Sequence, residues 1–189
     1  MRLWWLVLLL ISGQAAATPA ALHGIPGDWY EWGSGEMTWF GLKLYRATLW
    51  VAGQKSGEIG VKKGVEKGVE KAGQLGYEMP LALSLDYRRD IDGERIVRAS
   101  VDEMRKLGAG EEQLQRWTLE MRRVFPDVKK GDVLTGVHLP DRGVRFFFRE
   151  REIGEVVDAD FARRFFAIWL DPKTSAPDVR AALLRLPER

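Results

Sequence analysis

The 189-residue chain has no cysteine, so neither a disulfide framework nor a thiolate metal site can form, and a hydrophobic core must hold the fold unaided. Histidine is nearly absent as well. His23 and His138 are the two in the chain, too few for the usual zinc sites, and the sequence implies no cofactor. No glycine-rich phosphate loop is present: Gly33-Ser34-Gly35 lacks a third glycine and a following helix. Charge of one sign is also missing. Lys and Arg number 29 against 27 Asp and Glu, a formal +2, which gives no long-range field for nucleic acid or an anionic membrane. A serine triad would need His138 near Ser84 or Ser100, and neither serine carries nucleophile-elbow glycines.

The first residues set an expectation about compartment. Arg2 precedes an apolar run from Leu3 to Ile11, Ser12-Gly13-Gln14 breaks it, and Ala15-Ala16-Ala17 offers small residues before Thr18. That is the pattern of a secretory signal over residues 1–17, with a run too short to span a bilayer. The mature chain is expected to be periplasmic or secreted, with no transmembrane segment. Residues 18–32 read as a leader, flexible over Thr18–Pro26, and residues 33–186 as one domain.

Within that domain, Leu42 to Val51 alternates as a strand, with Lys43, Tyr45 and Ala47 on one face and Gly33 and Gly35 before it as bend or close-approach positions. Three Gly-Val-(Lys/Glu)-Lys units over 60–71 read as a loop or frayed helix. Pro80 to Tyr87 alternates as a half-buried strand. Two amphipathic helices follow, one striped by Val97, Val101 and Met104, the other by Leu114, Trp117, Met121 and Val124 and stopped by Pro126. On the first, Arg98 and Asp102 have the spacing of an ion pair. Three strands are expected over 132–139, 144–149 and 152–157. Asp158 or Asp160 then caps a helix carrying Phe161, Phe165, Phe166, Ile168 and Trp169, and Ser175 to Asp178 forms a capping box for the last helix. Glu111-Glu112 and Asp158/Asp160 are carboxylates at helix starts, where the dipole favours them. Strands joined by hairpin-length turns and grouped helices make an α+β fold, an antiparallel sheet with helices layered on one face.

Several segments together resemble the chalcone isomerase-like family, in particular a bacterial exported branch. They are Gly35 with Phe40-Gly41-Leu42-Lys43-Leu44-Tyr45, Leu85-Asp86-Tyr87-Arg88-Arg89-Asp90-Ile91, Phe125 to Asp132, and Phe165 to Pro172 leading into Val179-Arg180. The resemblance implies an open-faced β-sandwich. Plant members of that family cyclise chalcones, using a cleft arginine to steady the developing charge; others bind fatty acids through an arginine and a nearby tyrosine or threonine. Where the resemblance expects the arginine, this chain has Gly35-Glu36-Met37-Thr38. Tyr45 matches the strand tyrosine or threonine. Arg95, Arg98 and Asp102 align with a helix face that carries a tyrosine, a lysine and an asparagine in the plant enzymes. Lys43, Tyr45, Arg95 and Arg98 are thus the expected ligand-binding residues, with no catalytic residue assigned. Val97, Val101, Phe161 and Phe165 are expected to wall a cavity for a hydrocarbon tail. Three function classes remain open at this point: a non-catalytic binder of a small amphiphilic ligand such as a fatty acid, a structural or interaction protein of the cell envelope, and an isomerase of chalcone-like compounds.

Overall fold

Alternating side chains build six strands, each hydrogen-bonded antiparallel to the next in sequence. A computed structural model describes residues 18–53 and 79–186; the expected signal segment and the repeat over 60–71 lie outside the described residues. The strands are β1 (Asp28–Trp39), β2 (Leu42–Gly53), β3 (Leu81–Tyr87), β4 (Val133–Leu139), β5 (Gly143–Phe148) and β6 (Arg151–Val156), in the order β1-β2-β3-β4-β5-β6. Helices α1 (Gly93–Lys106) and α2 (Glu111–Val124) come between β3 and β4, and α3 (Ala159–Leu170) and α4 (Pro177–Leu184) follow β6. The fold is α+β, an open-faced sandwich of one antiparallel sheet with its helices on one face.

The core lies between that front face and the helices. Leu49, Leu83, Leu134 and Phe146 from the sheet meet Val97, Met104, Trp117, Phe161 and Phe166 from the helices, all at most 3% exposed. Each such side chain contributes about 1.5–3 kcal/mol by leaving water. Phe161 and Phe165 stack at 5.4 Å, and Phe165 also meets Phe146 edge-on at 5.3 Å. The residues expected to wall a tail cavity are therefore filled against one another, and Val97 is buried with them.

The back face holds a surprise for the leader. A short 3-10 helix, Ala20–Leu22, places Ala21, Leu22 and Ile25 against Trp50, Ala82, Val137 and Phe147. Thr18–Pro26 thus packs rather than trails, because Leu22 and Ile25 cover apolar side chains that would otherwise face water. Residues 28–32 of the expected leader open strand β1.

Helix ends follow local chemistry. Asp158 caps α3, its carboxylate accepting from the N–H groups of Asp160 (2.8 Å) and Phe161 (2.9 Å). Glu111 and Glu112 occupy the first turn of α2, which ends at Val124 because Pro126 forces Phe125 into an extended conformation. The capping box expected at Ser175 does not form. The N-cap of α4 is Ala176, whose N–H donates instead to Thr174 Oγ1 at 3.1 Å, while the Ser175 hydroxyl reaches across to Glu103. Likewise Asp102 pairs with Arg105 at 3.0 Å rather than with Arg98.

Candidate functional site

Near the start of β2 the front face carries Tyr45, half-buried beneath α3. Its register partners are Met37 on β1 and Tyr87 on β3. The two tyrosine rings meet edge-on at 5.8 Å, and the Tyr45 hydroxyl accepts a 3.0 Å hydrogen bond from Trp169 Nε1. Among the described residues nothing receives the Tyr45 hydroxyl's own hydrogen, so one donor remains to offer. Burial pushes the Tyr45 pKa up to about 12; the Trp169 N–H partly opposes that, and the Glu103 carboxylate adds to it. Burial, with Tyr45 nearby, pushes Tyr87 up further still. The site therefore presents neutral phenols across the physiological range. It can donate a hydrogen bond, but supplies no phenolate.

The charge that acts on this hydroxyl is an acid. Glu103 sits on the α1 side facing α4, accepting from Lys106 Nζ at 2.7 Å and from the Ser175 hydroxyl. The sequence reading missed Glu103, Tyr87 and the polar use of Trp169. For Trp169 a signal existed, since a buried indole N–H requires an acceptor.

Lys43 does not join Tyr45. Strict alternation over 42–51 would put both on one face, but the register slips between Met37 and Thr38: Tyr45 pairs with Met37 and Lys43 with Thr38, leaving Leu44 as an extra residue. This bulge reverses the alternation and turns Lys43 to the back of the sheet. Its Nζ lies 4.0 Å from Glu36, which also meets Arg46 at 3.8 Å and Arg88 at 3.7 Å. Lys43 has 67% of its side chain exposed.

Arg95 and Arg98 are also placed apart from Tyr45. Both are exposed on α1, Arg95 pairing with Asp92 at 3.2 Å. At 100° per residue Arg98 lies about 140° round the helix from Glu103, which occupies the side toward Tyr45, and Arg95 is about two turns away along the axis. The shared helical face is real, but it looks outward.

The remaining candidates have structural roles. His138 is 2% exposed and packs on the Phe166 ring at 5.9 Å, on the sheet face opposite Ser84. Ser84 shares a 2.9 Å hydrogen bond with Thr135, and Ser100 donates to the Ile96 carbonyl at 2.9 Å. Among the described residues no three His, Asp or Glu side chains are placed to hold a metal ion. A surface groove of about 440 Å³ runs between α2 and the β6–α3 junction, over Trp117, whose Nε1 donates to Asp158 at 2.8 Å.

Three comparisons bear on this geometry. Residues 33–185 match the family model described as chalcone isomerase-like. An uncharacterized protein of Haemophilus influenzae is 33% identical over 107 residues, 57% of this chain and 52% of that protein, so the chain spans about half the length of this relative. The crystal structure of a fatty-acid binding protein of Arabidopsis thaliana superimposes with a TM-score of 0.60 at 12% identity, covering 85% of this chain and 88% of that one. At that identity the likeness is one of fold.

Proposed function

Because the chain belongs to the chalcone isomerase-like family, we propose that it is a non-catalytic binder of a small amphiphilic ligand such as a fatty acid, acting in the periplasm or outside the cell. One observation carries the reading: Tyr45 offers a neutral, half-buried hydroxyl, fixed by Trp169 and with its hydrogen unspent. The fold shared with a plant protein named for fatty-acid binding supports it.

The absence of catalysis follows from charge. Cyclisation of a chalcone develops negative charge, which a preorganised cation would stabilise. Here the carboxylate acting on Tyr45 is Glu103, and Met37, not a cation, is the cross-strand neighbour from the segment where the resemblance expects an arginine. The same carboxylate disfavours an ionised head group at Tyr45. A protonated acid, an ester or another neutral acceptor fits better.

Calorimetric titration with a fatty acid and its methyl ester tests this. Tyr45→Phe is expected to weaken binding about fivefold, one neutral hydrogen bond. Lys43→Met is expected to leave it unchanged, because that side chain is on the other face. Equal affinity of wild type and Tyr45→Phe would remove Tyr45 from the site. The packing of Phe161 against Phe165 favours a second reading, an envelope interaction protein whose interior is already filled; no binding by wild type would select it. Cyclisation well above the spontaneous rate would restore the isomerase.

A further inference from the structure

Six consecutive residues, 38–43, are exposed where β1 turns into β2. The turn is two residues long, Phe40 (φ 46°) and Gly41 (φ 75°), between the paired Trp39 and Leu42. Both backbones are left-handed, as a tight hairpin turn of this kind requires, and glycine is at ease there while phenylalanine is not. Phe40 nevertheless stands at the apex, 88% exposed, with Trp39 (61%) against it edge-on at 5.0 Å and Leu42 (53%) beside them.

The bulge that removes Lys43 from the Tyr45 site gives this ribbon two unlike faces. Met37, Trp39, Leu42 and Tyr45 form cross-strand pairs on the front, whereas Thr38, Lys43 and Arg46 point to the back. The apolar side is exposed at the tip, and Lys43 and Arg46, both against Glu36, stand behind it. Tryptophan at the edge of an apolar tip, with Lys43 one rung further in and Arg46 three, is the arrangement of an interfacial membrane anchor. Nothing in the described fold covers the three apolar side chains.

We propose that the tip of the β1–β2 hairpin docks on a lipid surface, Trp39, Phe40 and Leu42 entering the headgroup region and Lys43 and Arg46 resting among the phosphates. Lys43, Arg46 and Arg88 stand against Glu36 and Asp86, leaving one net positive charge. Apolar insertion therefore supplies the binding, and its dependence on anionic lipid and on salt is weak. The tip lies at the Tyr45 end of the sheet, three residues from that hydroxyl, but the docking does not depend on the ligand reading.

Freedom from cysteine makes the test clean. In the full chain, Phe40→Cys and, separately, Leu119→Cys (another exposed apolar residue, on α2) are labelled with the environment-sensitive fluorophore NBD. Vesicles of phosphatidylcholine, with and without a minor fraction of phosphatidylglycerol, carry doxyl-labelled lipid as quencher. The label at 40 is expected to shift to the blue and be quenched on both vesicle types, in low and raised salt, while the label at 119 stays unquenched. Adding Trp39→Ser and Leu42→Ser is expected to weaken the partition seen at position 40 by about tenfold or more. Binding that reaches the membrane only through another segment leaves position 40 unquenched, and this overturns the proposal. Equal quenching at both positions, or loss of quenching in raised salt, also overturns it. So does a doubled mass in light scattering that the serine variants abolish without any quenching at 40, which would give the tip to a second copy of the chain.

Discussion

Tyr45 and Tyr87 show how much a buried phenol can say about pH. Burial raises both pKa values above the ordinary value near 10, so each folded tyrosine keeps its proton after the unfolded one has lost it. The stabilisation is fully present below about pH 10 and is lost as pH rises through the folded values, at about 1.4 kcal/mol per pH unit for each group. Urea midpoints are expected to fall between pH 10 and pH 11.5, and Tyr87→Phe is expected to make that fall shallower whatever its effect at neutral pH. Equal slopes in the two proteins would show that Tyr87 is not the titrating group. Asp158 illustrates the opposite balance. Burial alone would raise its pKa, but hydrogen bonds from Trp117 and from the N–H groups of Phe161 and Asp160 outweigh it, holding the carboxyl below the ordinary range.

Strand β1 and helix α4 meet so closely that one position tolerates glycine alone. A Cβ at Gly33 would lie 2.5 Å from the carbonyl oxygens of both Ala182 and Leu183. The glycine sits where the β1–β2 register shifts after Glu31, and the missing side chain lets the last helix lie on the sheet edge. Gly33→Ala is expected to destabilise by about 1–3 kcal/mol, by pushing α4 away. Gly24→Ala, with nothing within 4 Å, is expected to stay within about 0.5 kcal/mol of wild type. Thermal melts of the two variants make the comparison, and a neutral Gly33→Ala would mean that α4 moves without cost. The same contact explains an element the sequence reading did not separate. Gly33 and Gly35, expected as bend or close-approach positions before a strand, are close-approach positions inside a twelve-residue one.

At the scale of the whole molecule, the N-terminal end of the described chain is part of the fold. Leu22 is fully buried on the back of the sheet and Ile25 is 5% exposed, so a cut after Ala17 would leave the 3-10 helix in place. Intact-mass measurement on protein from the cell envelope is expected to give a chain beginning at Thr18. A species retaining Met1 to Ala17 in the soluble cytosolic fraction would end the export proposal.

What was legible from the sequence alone is what local periodicity controls. Period-two alternation marked β2 to β6, apolar stripes at three- and four-residue spacing marked α1 to α3, and Pro126 and Asp158 marked helix ends, because each of these depends on a few adjacent residues. The antiparallel sheet with helices on one face followed from the order of those elements. Alternation also put Tyr45 on the face of Ala47, which the core side bears out, while its place among the ligand candidates came from the resemblance. Tertiary structure decided the rest. One inserted residue, Leu44, reversed the phase that had put Lys43 beside Tyr45. The packing of α1 on α3 brought Glu103 toward Tyr45, whereas the stripe of Val97, Val101 and Met104 had already put Arg95 and Arg98 on the outward side. A bulge, a helix packing and a residue pairing 124 positions apart, Tyr45 with Trp169, arise from contacts between elements, and no window of neighbouring residues contains them.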